Sequence, residues 1–332
     1  MSKTVRATAP CRADLAGGTL DIWPLGLLHN NALTVNMALP VTVDLELSDD
    51  APEAVVFHRV FGGPWRQLRP VDTSTDLTAA ICFHLAPRGG LRVNVLSQPP
   101  MGSGLGGSST FGVALTRAVT KICELDLSDE HVVHLVQDLE ARLLGTLTGC
   151  QDHWAAVRGG VQALHLEPGG NRLERLGTDY RWLESRATVF FTGITHHSGM
   201  VNWQVIRRRL EGDQTTTQAL QIIADSATLC RKALLSADCD AVGEALRQEW
   251  AARRRLAPEI CPPELTLLES KAMASGALAF KACGAGGGGS VLIWHEPEAK
   301  TSIADALLHA APNGIVFPPG ITIDGVTLSH RF

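Results

Sequence analysis

The sequence predicts a two-domain chain of α+β, or mixed α/β, class, and three observations carry that expectation. At 332 residues the chain exceeds what one hydrophobic core usually serves, so two domains sharing a cleft are expected. Strand-like and helix-like patterns occur together in both halves. Between them lies a polar, loop-rich stretch, EPGGNRLERLGTDYRWLES, which sets the boundary near residue 185 and gives domains of 1–185 and 186–332.

Taken in order, residues 3–9 and 33–47 (LTVNMALPVTVDLEL) read as strands, the second from its apolar-polar alternation and its Val and Thr content. CRADLAGGTLDIWPLG, between them, reads as a compact loop. Further strands are expected within 54–70 and at 91–97, with a short helix near 76–86. TFGVALTRAVTKICEL carries apolar residues at helical spacing. LSDEHVVHLVQDLEARLLG opens with Ser128 as N-cap and acidic residues in its first turn. A strand in GGVQALHL closes the first domain's pattern. The second half reads as a strand (ATVFFTG), helices over 200–256 and 263–276, the glycine cluster KACGAGGGGSVLIW, a helix in TSIADALLHAA and strand-like ends.

Composition narrows the class. Hydrophobic residues make up 45% and charged residues 19%, as in ordinary globular proteins, and a net charge of −5 argues against nucleic acid or an anionic membrane as partner. Arg207-Arg208-Arg209 and Arg253-Arg254-Arg255 read as solvated helix faces. Eight cysteines stand singly, which fits reduced thiols, and the N-terminus shows no signal-peptide core, so a cytoplasmic protein is expected. His131 and His134, one helical turn apart, read as surface histidines, and Trp154 and Trp203 as core or wall.

The most informative stretch is PPMGSGLGGSST, residues 99–110, where a glycine-rich turn leads from a strand into a helix. Such a turn aims backbone N–H groups and the positive end of a helix dipole at one point, which suits phosphate. Gly102-x-Gly104-x-x-Gly107 matches the dinucleotide fingerprint, but two prolines separate strand from glycines, the loop is far from the first strand, and no acidic residue follows at the expected distance. A P-loop is excluded because no Gly-Lys-Ser/Thr follows. A phosphate cradle without its lysine needs positive charge from elsewhere, most simply a magnesium ion held by a hydroxyl and a carboxylate.

P-x-x-x-G-L-G-G-S-S is similar to the second motif of the GHMP small-molecule kinases, and three further motifs follow in that family's order. Pro10-Cys11-Arg12 is followed by Asp21 around AGGTLD; Glu140 precedes Asp152 by a dozen residues; GAGGGGS occupies 284–290. Within the family the chain resembles the heptose 7-phosphate kinases, through AGG-T-x-D, SGLGGSS, QD and Thr192-Gly193-Ile194-Thr195. It departs from them at Leu20, at His153 and in IWPLGLLHNN.

The resemblance implies a first domain like domain 2 of ribosomal protein S5 and a ferredoxin-like second domain, with ATP between them. It implies that Gly102, Ser103, Gly104, Leu105, Gly106, Gly107, Ser108 and Ser109 wrap the triphosphate, that Ser108 and Glu140 hold Mg2+, and that Asp152 is the general base with Arg12 beside it. Asp21, Gly18, Thr19 and His153 are the expected acceptor-binding residues. The glycines of 284–289 are expected to pack against the acceptor loop, and His196-His197 to lie in a loop facing the cleft, where contact with sugar or phosphate is one reading of them. The implied reaction is phosphorylation of a sugar-phosphate hydroxyl, with heptose 7-phosphate at its anomeric carbon leading. A free-sugar anomeric kinase acting on a hexose, pentose or uronic acid, and a catalytically silent sugar- or nucleotide-binding protein, stand as alternatives. A hydride-transferring enzyme is weakened by the loop's context. Whether the chain forms a homo-oligomer is left open.

Overall fold

The computed structural model describes residues 2–195 and 199–331. In chain order the first half comprises β1 (Thr4–Ala16), β2 (Leu33–Ser48), β3 (Val56–Val60), β4 (Arg66–Leu68), α1 (Leu77–Leu85), β5 (Leu91–Ser97), α2 (Gly107–Ile122), α3 (Asp129–Leu144), α4 (Gln151–Arg158), β6 (Val161–Glu167), β7 (Gly170–Arg175) and α5 (Tyr180–Arg186). The second half comprises β8 (Ala187–Phe191), α6 (Gly199–Leu210), α7 (Gln214–Ser236), α8 (Cys239–Arg254), α9 (Pro263–Ala274), β9 (Ala277–Ala282), β10 (Ser290–His295), α10 (Lys300–Ala310), β11 (Ile315–Val316) and β12 (Thr327–Arg331).

Among the described residues two sheets organise the fold. The larger runs β12-β1-β2-β5-β3-β4, with β6 on the other stretch of β2 and β7 beside β6; all its pairs are antiparallel except β3 with β5. The smaller runs β11-β8-β10-β9, fully antiparallel. Counted in their own chain order its strands read 4-1-3-2, with α6–α9 in the first crossover and α10 in the second, which is the ferredoxin-like arrangement.

Three expectations change here. First, β1 does not stop at residue 9 but continues to Ala16, so Pro10-Cys11-Arg12 lies on a strand. The ladder to β2 shifts register between Pro10 and Arg12, and across that bulge the inward residues change core: Ala9 packs with α1 to α4, whereas Cys11, Ala13 and Leu15 pack with the second half. Second, the stretch 167–185 is not mainly loop; it holds β7, hydrogen-bonded to β6, and α5. Third, β12 pairs with β1, so the end of the chain belongs to the first sheet rather than to a unit running from 186 to 332.

The halves are joined by an apolar core. Leu15, Val35, Met37 and Leu105 from the first pack with Cys230, Leu246, Leu292 and Trp294 from the second. Burying this apolar surface holds the two sides of the cleft in fixed relation.

Candidate active site

The site grows from the N-terminus of α2. Its cap residue, Gly106, is left-handed at φ +74 and contributes no side-chain cap, and no acidic side chain sits in the first turn. The leading N–H groups of this helix therefore remain available to an anionic ligand. A side chain at Gly106 would also displace Asp152, because a Cβ there would lie 2.9 Å from its Cβ, Cγ and Oδ2. The phosphate-type loop and the Asp152 carboxyl are in direct contact.

Arg12, 4% exposed, locks both. Its Nε donates to Asp152 Oδ1 at 2.8 Å and its Nη1 to Gly104 O at 2.6 Å, while its backbone N–H donates to Leu105 O at 3.1 Å. Asp152 stays partly open, its side chain 23% exposed, so it is the member of the pair that can meet a ligand. Ser103 and Leu105 are buried, and the Leu105 side chain anchors the loop in the core shared by the halves.

Glu140 stands behind Ser108 and Ser109. It continues the inward stripe of α3 formed by Val132, Val133, Val136 and Leu139, so a carboxylate occupies a core position. Ser108 Oγ donates to Oε1 at 2.5 Å and Ser109 Oγ to Oε2 at 2.7 Å, with His153 Nε2 2.9 Å from Oε2. Burial pushes the Glu140 carboxyl up, but the hydrogen bond and charge of His153 and the two serine hydroxyls together hold it below its ordinary pKa. Burial likewise opposes the charged form of His153, and the bond to Glu140 outweighs it, raising His153. The expected contact of His153 with an acceptor is corrected: the ring is fully buried against Glu140 and orients that carboxylate.

Asp21, expected to bind the acceptor, has partners within the chain. It is 6% exposed, and its Oδ2 accepts from the backbone N–H of Cys150 at 2.8 Å and of Gln151 at 3.0 Å. These are the N–H groups of the N-cap residue and of the first residue of α4, so Asp21 caps the helix that carries Asp152. Burial is the main reason its pKa is raised; the N–H of Gln151 pulls the other way, while Asp152 and Asp14 add to the rise.

Gly18 is buried and Thr19 half-buried, with Thr19 at φ +79, a backbone conformation rarely taken by a β-branched residue. The second glycine cluster packs on the glycine turn of 102–107: Ser290 N donates to Ser103 O at 2.7 Å, and a Cβ at Gly104 would lie 2.9 Å from Cys283 O. His196 and His197 lie outside the described residues. His131 and His134 are exposed, Trp154 is core and Trp203 is 53% exposed.

A solvated-face reading of Arg253-Arg254-Arg255 misses Arg253. Arg254 and Arg255 lie nearer solvent, but Arg253 is 1% exposed and bonded to Glu249, Gly18 O and Gly284 O. The signal was present: Val242, Ala245, Leu246, Glu249, Trp250 and Arg253 form one helical stripe, and only two of them are charged.

Comparison with known proteins gives matches in both halves of the chain. A family model described as the GHMP kinases N terminal domain matches residues 75–160, and one described as GHMP kinases C terminal matches 230–313. Over 322 residues, 92% of this chain and 93% of that protein, the sequence is 26% identical to D-glycero-alpha-D-manno-heptose 7-phosphate kinase of Campylobacter jejuni. It is 28% identical over 324 residues to the bifunctional fucokinase/GDP-fucose pyrophosphorylase of Arabidopsis thaliana, covering 88% of this chain and 30% of that longer protein. The structure of Lactococcus lactis galactokinase complexed with galactose superposes with a TM-score of 0.81 at 14% identity, over 98% of this chain and 95% of that one, which shows a shared fold.

Proposed function

This chain belongs to the GHMP kinase family, a phosphotransferase family with hydroxyl acceptors, and from that premise we propose that it transfers the γ-phosphoryl group of ATP to the anomeric hydroxyl of a sugar phosphate such as heptose 7-phosphate. One observation carries the reading: the Asp152 carboxyl lies against the turn at Gly106 that opens α2, and buried Arg12 holds it there. The 26% identity to a heptose 7-phosphate kinase over nearly both full lengths supports the acceptor class.

In this reading the first N–H groups of α2 receive the phosphates. Asp152 accepts a hydrogen bond from the acceptor hydroxyl and takes its proton as the new O–P bond forms and the bond to ADP breaks. Arg12 fixes the carboxylate's direction, so orienting the hydroxyl is as much its contribution as basicity. Asp21 sets the pitch of α4 and so the position of Asp152. Ser108 and Glu140, now hydrogen-bonded to each other at 2.5 Å, are hard oxygen donors that would hold Mg2+ with the hydroxyl turned from the carboxylate to the ion, and His153 orients the carboxylate from behind. When bound, that ion neutralises charge on the phosphate oxygens.

A phosphate tail on the acceptor calls for a cation. Arg209 of α6 reaches the segment following Asp21, donating to His29 Nε2 at 3.1 Å and to Leu28 O at 3.0 Å. The test is ADP release by the purified protein with ATP and Mg2+ over heptose 7-phosphate, mannose, galactose and fucose, with NMR assignment of the phosphorylated carbon. Turnover confined to free sugars replaces the phosphorylated acceptor by the free-sugar alternative. Nucleotide binding without turnover on any acceptor points to the silent one.

A further inference from the structure

α8 presents two charged residues to the interior, Glu249 and Arg253, where its helical stripe otherwise carries apolar side chains. They meet Asp14 of β1 and Lys281 of β9, and all four side chains are at most 1% exposed. The charges cancel, two of each sign. Such a buried quartet is weak support for stability, because apolar residues of the same shape often do as well. What it does geometrically is more specific.

Resting on the kinase reading above, we propose that Arg253 is a positioning residue that holds the acceptor-side loop 17–19 in shape and ties it to the phosphate loop. Lys281 prepares the ground. Its ammonium donates to Asp14 O at 3.0 Å and Leu15 O at 3.1 Å, where the ladder from β1 to β2 slips register between Asp14 and Ala16. Arg253 takes the residues that follow: Nη2 donates to Gly18 O at 2.9 Å and Nη1 to Thr19 Oγ1 at 3.3 Å. Gly18 has no room for a side chain, since a Cβ would lie 2.4 Å from Asp14 Oδ2 and 2.9 Å from Arg253 Nη2. Thr19 keeps its φ of +79 where the surroundings over-determine it. Two residues later Asp21 caps the helix of Asp152.

Another bond points the other way. Arg253 Nη1 donates to Gly284 O at 2.9 Å, and the backbone of 283–284 lies against Gly104 of the phosphate loop. Nε and Nη2 are pinned to Glu249 Oε1 at 2.9 and 2.5 Å. The guanidinium is a rigid planar fork, so movement of either loop is transmitted to the other through it. A lysine could keep the charge but not this set of directions.

The test compares wild type with Arg253→Lys, Thr19→Gly and the double variant Glu249→Met/Arg253→Met, which leaves Asp14 and Lys281 paired and the interior neutral. Melting temperature, kcat, and KM for acceptor and for ATP are measured by ADP release with an acceptor that the wild type turns over. The double variant and Arg253→Lys are expected to raise acceptor KM about tenfold or more, with ATP KM within about threefold, and Thr19→Gly to act in the same direction more weakly. Folded variants with wild-type acceptor KM overturn the proposal, as does a parallel loss of all three constants that tracks the melting temperature. If the double variant does not fold, Arg253→Lys and Thr19→Gly decide. A wild type inactive on every acceptor refutes the kinase reading and this proposal with it; an active wild type with unchanged acceptor KM in the variants refutes this proposal alone.

Discussion

Replacing Gly106 by alanine tests the central contact of the site. Two effects act together. At φ +74 an alanine carries a left-handed strain of about 1–2 kcal/mol. Its Cβ also arrives 2.9 Å from three atoms of Asp152, whereas carbon atoms rest at roughly 3.5–4.0 Å, so the carboxyl must retreat by about 0.5–1 Å. A misplacement of that size costs up to about 10²-fold in rate. Strain alone has a control in Gly212, at φ +83 with nothing within 4 Å of its Cβ position. Gly212→Ala is expected to lower the melting temperature by a few degrees and leave kcat unchanged. Gly106→Ala is expected to show a similar or larger thermal shift together with a kcat reduced about 10- to 100-fold, and ATP KM within about threefold because the N–H donors remain. ADP-release kinetics beside thermal melts read both. A Gly106→Ala enzyme whose kcat matches that of Gly212→Ala would mean that loop and carboxyl do not meet as described.

Asp152→Asn should lower kcat by about 10²–10⁴ while calorimetry shows nucleotide affinity preserved; a loss under tenfold would remove Asp152 from the proton's path. Asp21→Ala removes the cap on α4 and is expected to cost about 0.5–2 kcal/mol in urea unfolding with a fall in kcat, and Asp21→Asn, which keeps an accepting oxygen, to restore much of the stability. The pair of Glu140 and His153 predicts a pH dependence. His153 is raised from its ordinary 6.5, so its contribution is full below 6.5 and fades as pH rises through the raised value. Glu140 is lowered from 4.5, so its contribution is present above 4.5 and fades as pH falls through the depressed value. The melting-temperature gap between wild type and His153→Gln should therefore be widest between these ordinary values and shrink in alkali; a gap that widens in alkali contradicts the pairing. Arg209→Ala should raise KM for a phosphorylated acceptor and leave a free sugar's KM unaltered; equal effects on both would remove Arg209 from phosphate recognition.

Much of this was legible before any coordinates. Ser128 is a serine just before an apolar-periodic run, and its side chain accepts from His131 N as an N-cap should. The glycine turn of 102–107 announces itself by composition, and the left-handed φ values at Gly102, Gly104 and Gly106 are what glycine there permits. β7 and α5 were hidden because a short polar hairpin and a seven-residue helix leave little periodic signal. The extension of β1 was hidden by its bulge, which moves the inward residues from one core to another and breaks the alternation.

The sequence by itself determined the local pieces: which segments turn, which are capped, which face of each helix is apolar, and that a glycine cradle precedes a serine-bearing helix. Those properties arise between residues a few positions apart, where backbone geometry and periodicity speak directly. The tertiary structure alone decided that Arg12 meets Asp152 across 140 positions, that Arg253 meets Gly18 O across 235, that Asp21 caps a helix, and that β12 returns to β1. A charged side chain is buried only when distant parts of the chain bring it counter-charges and hydrogen-bond partners, and neither can be seen in the residues beside it.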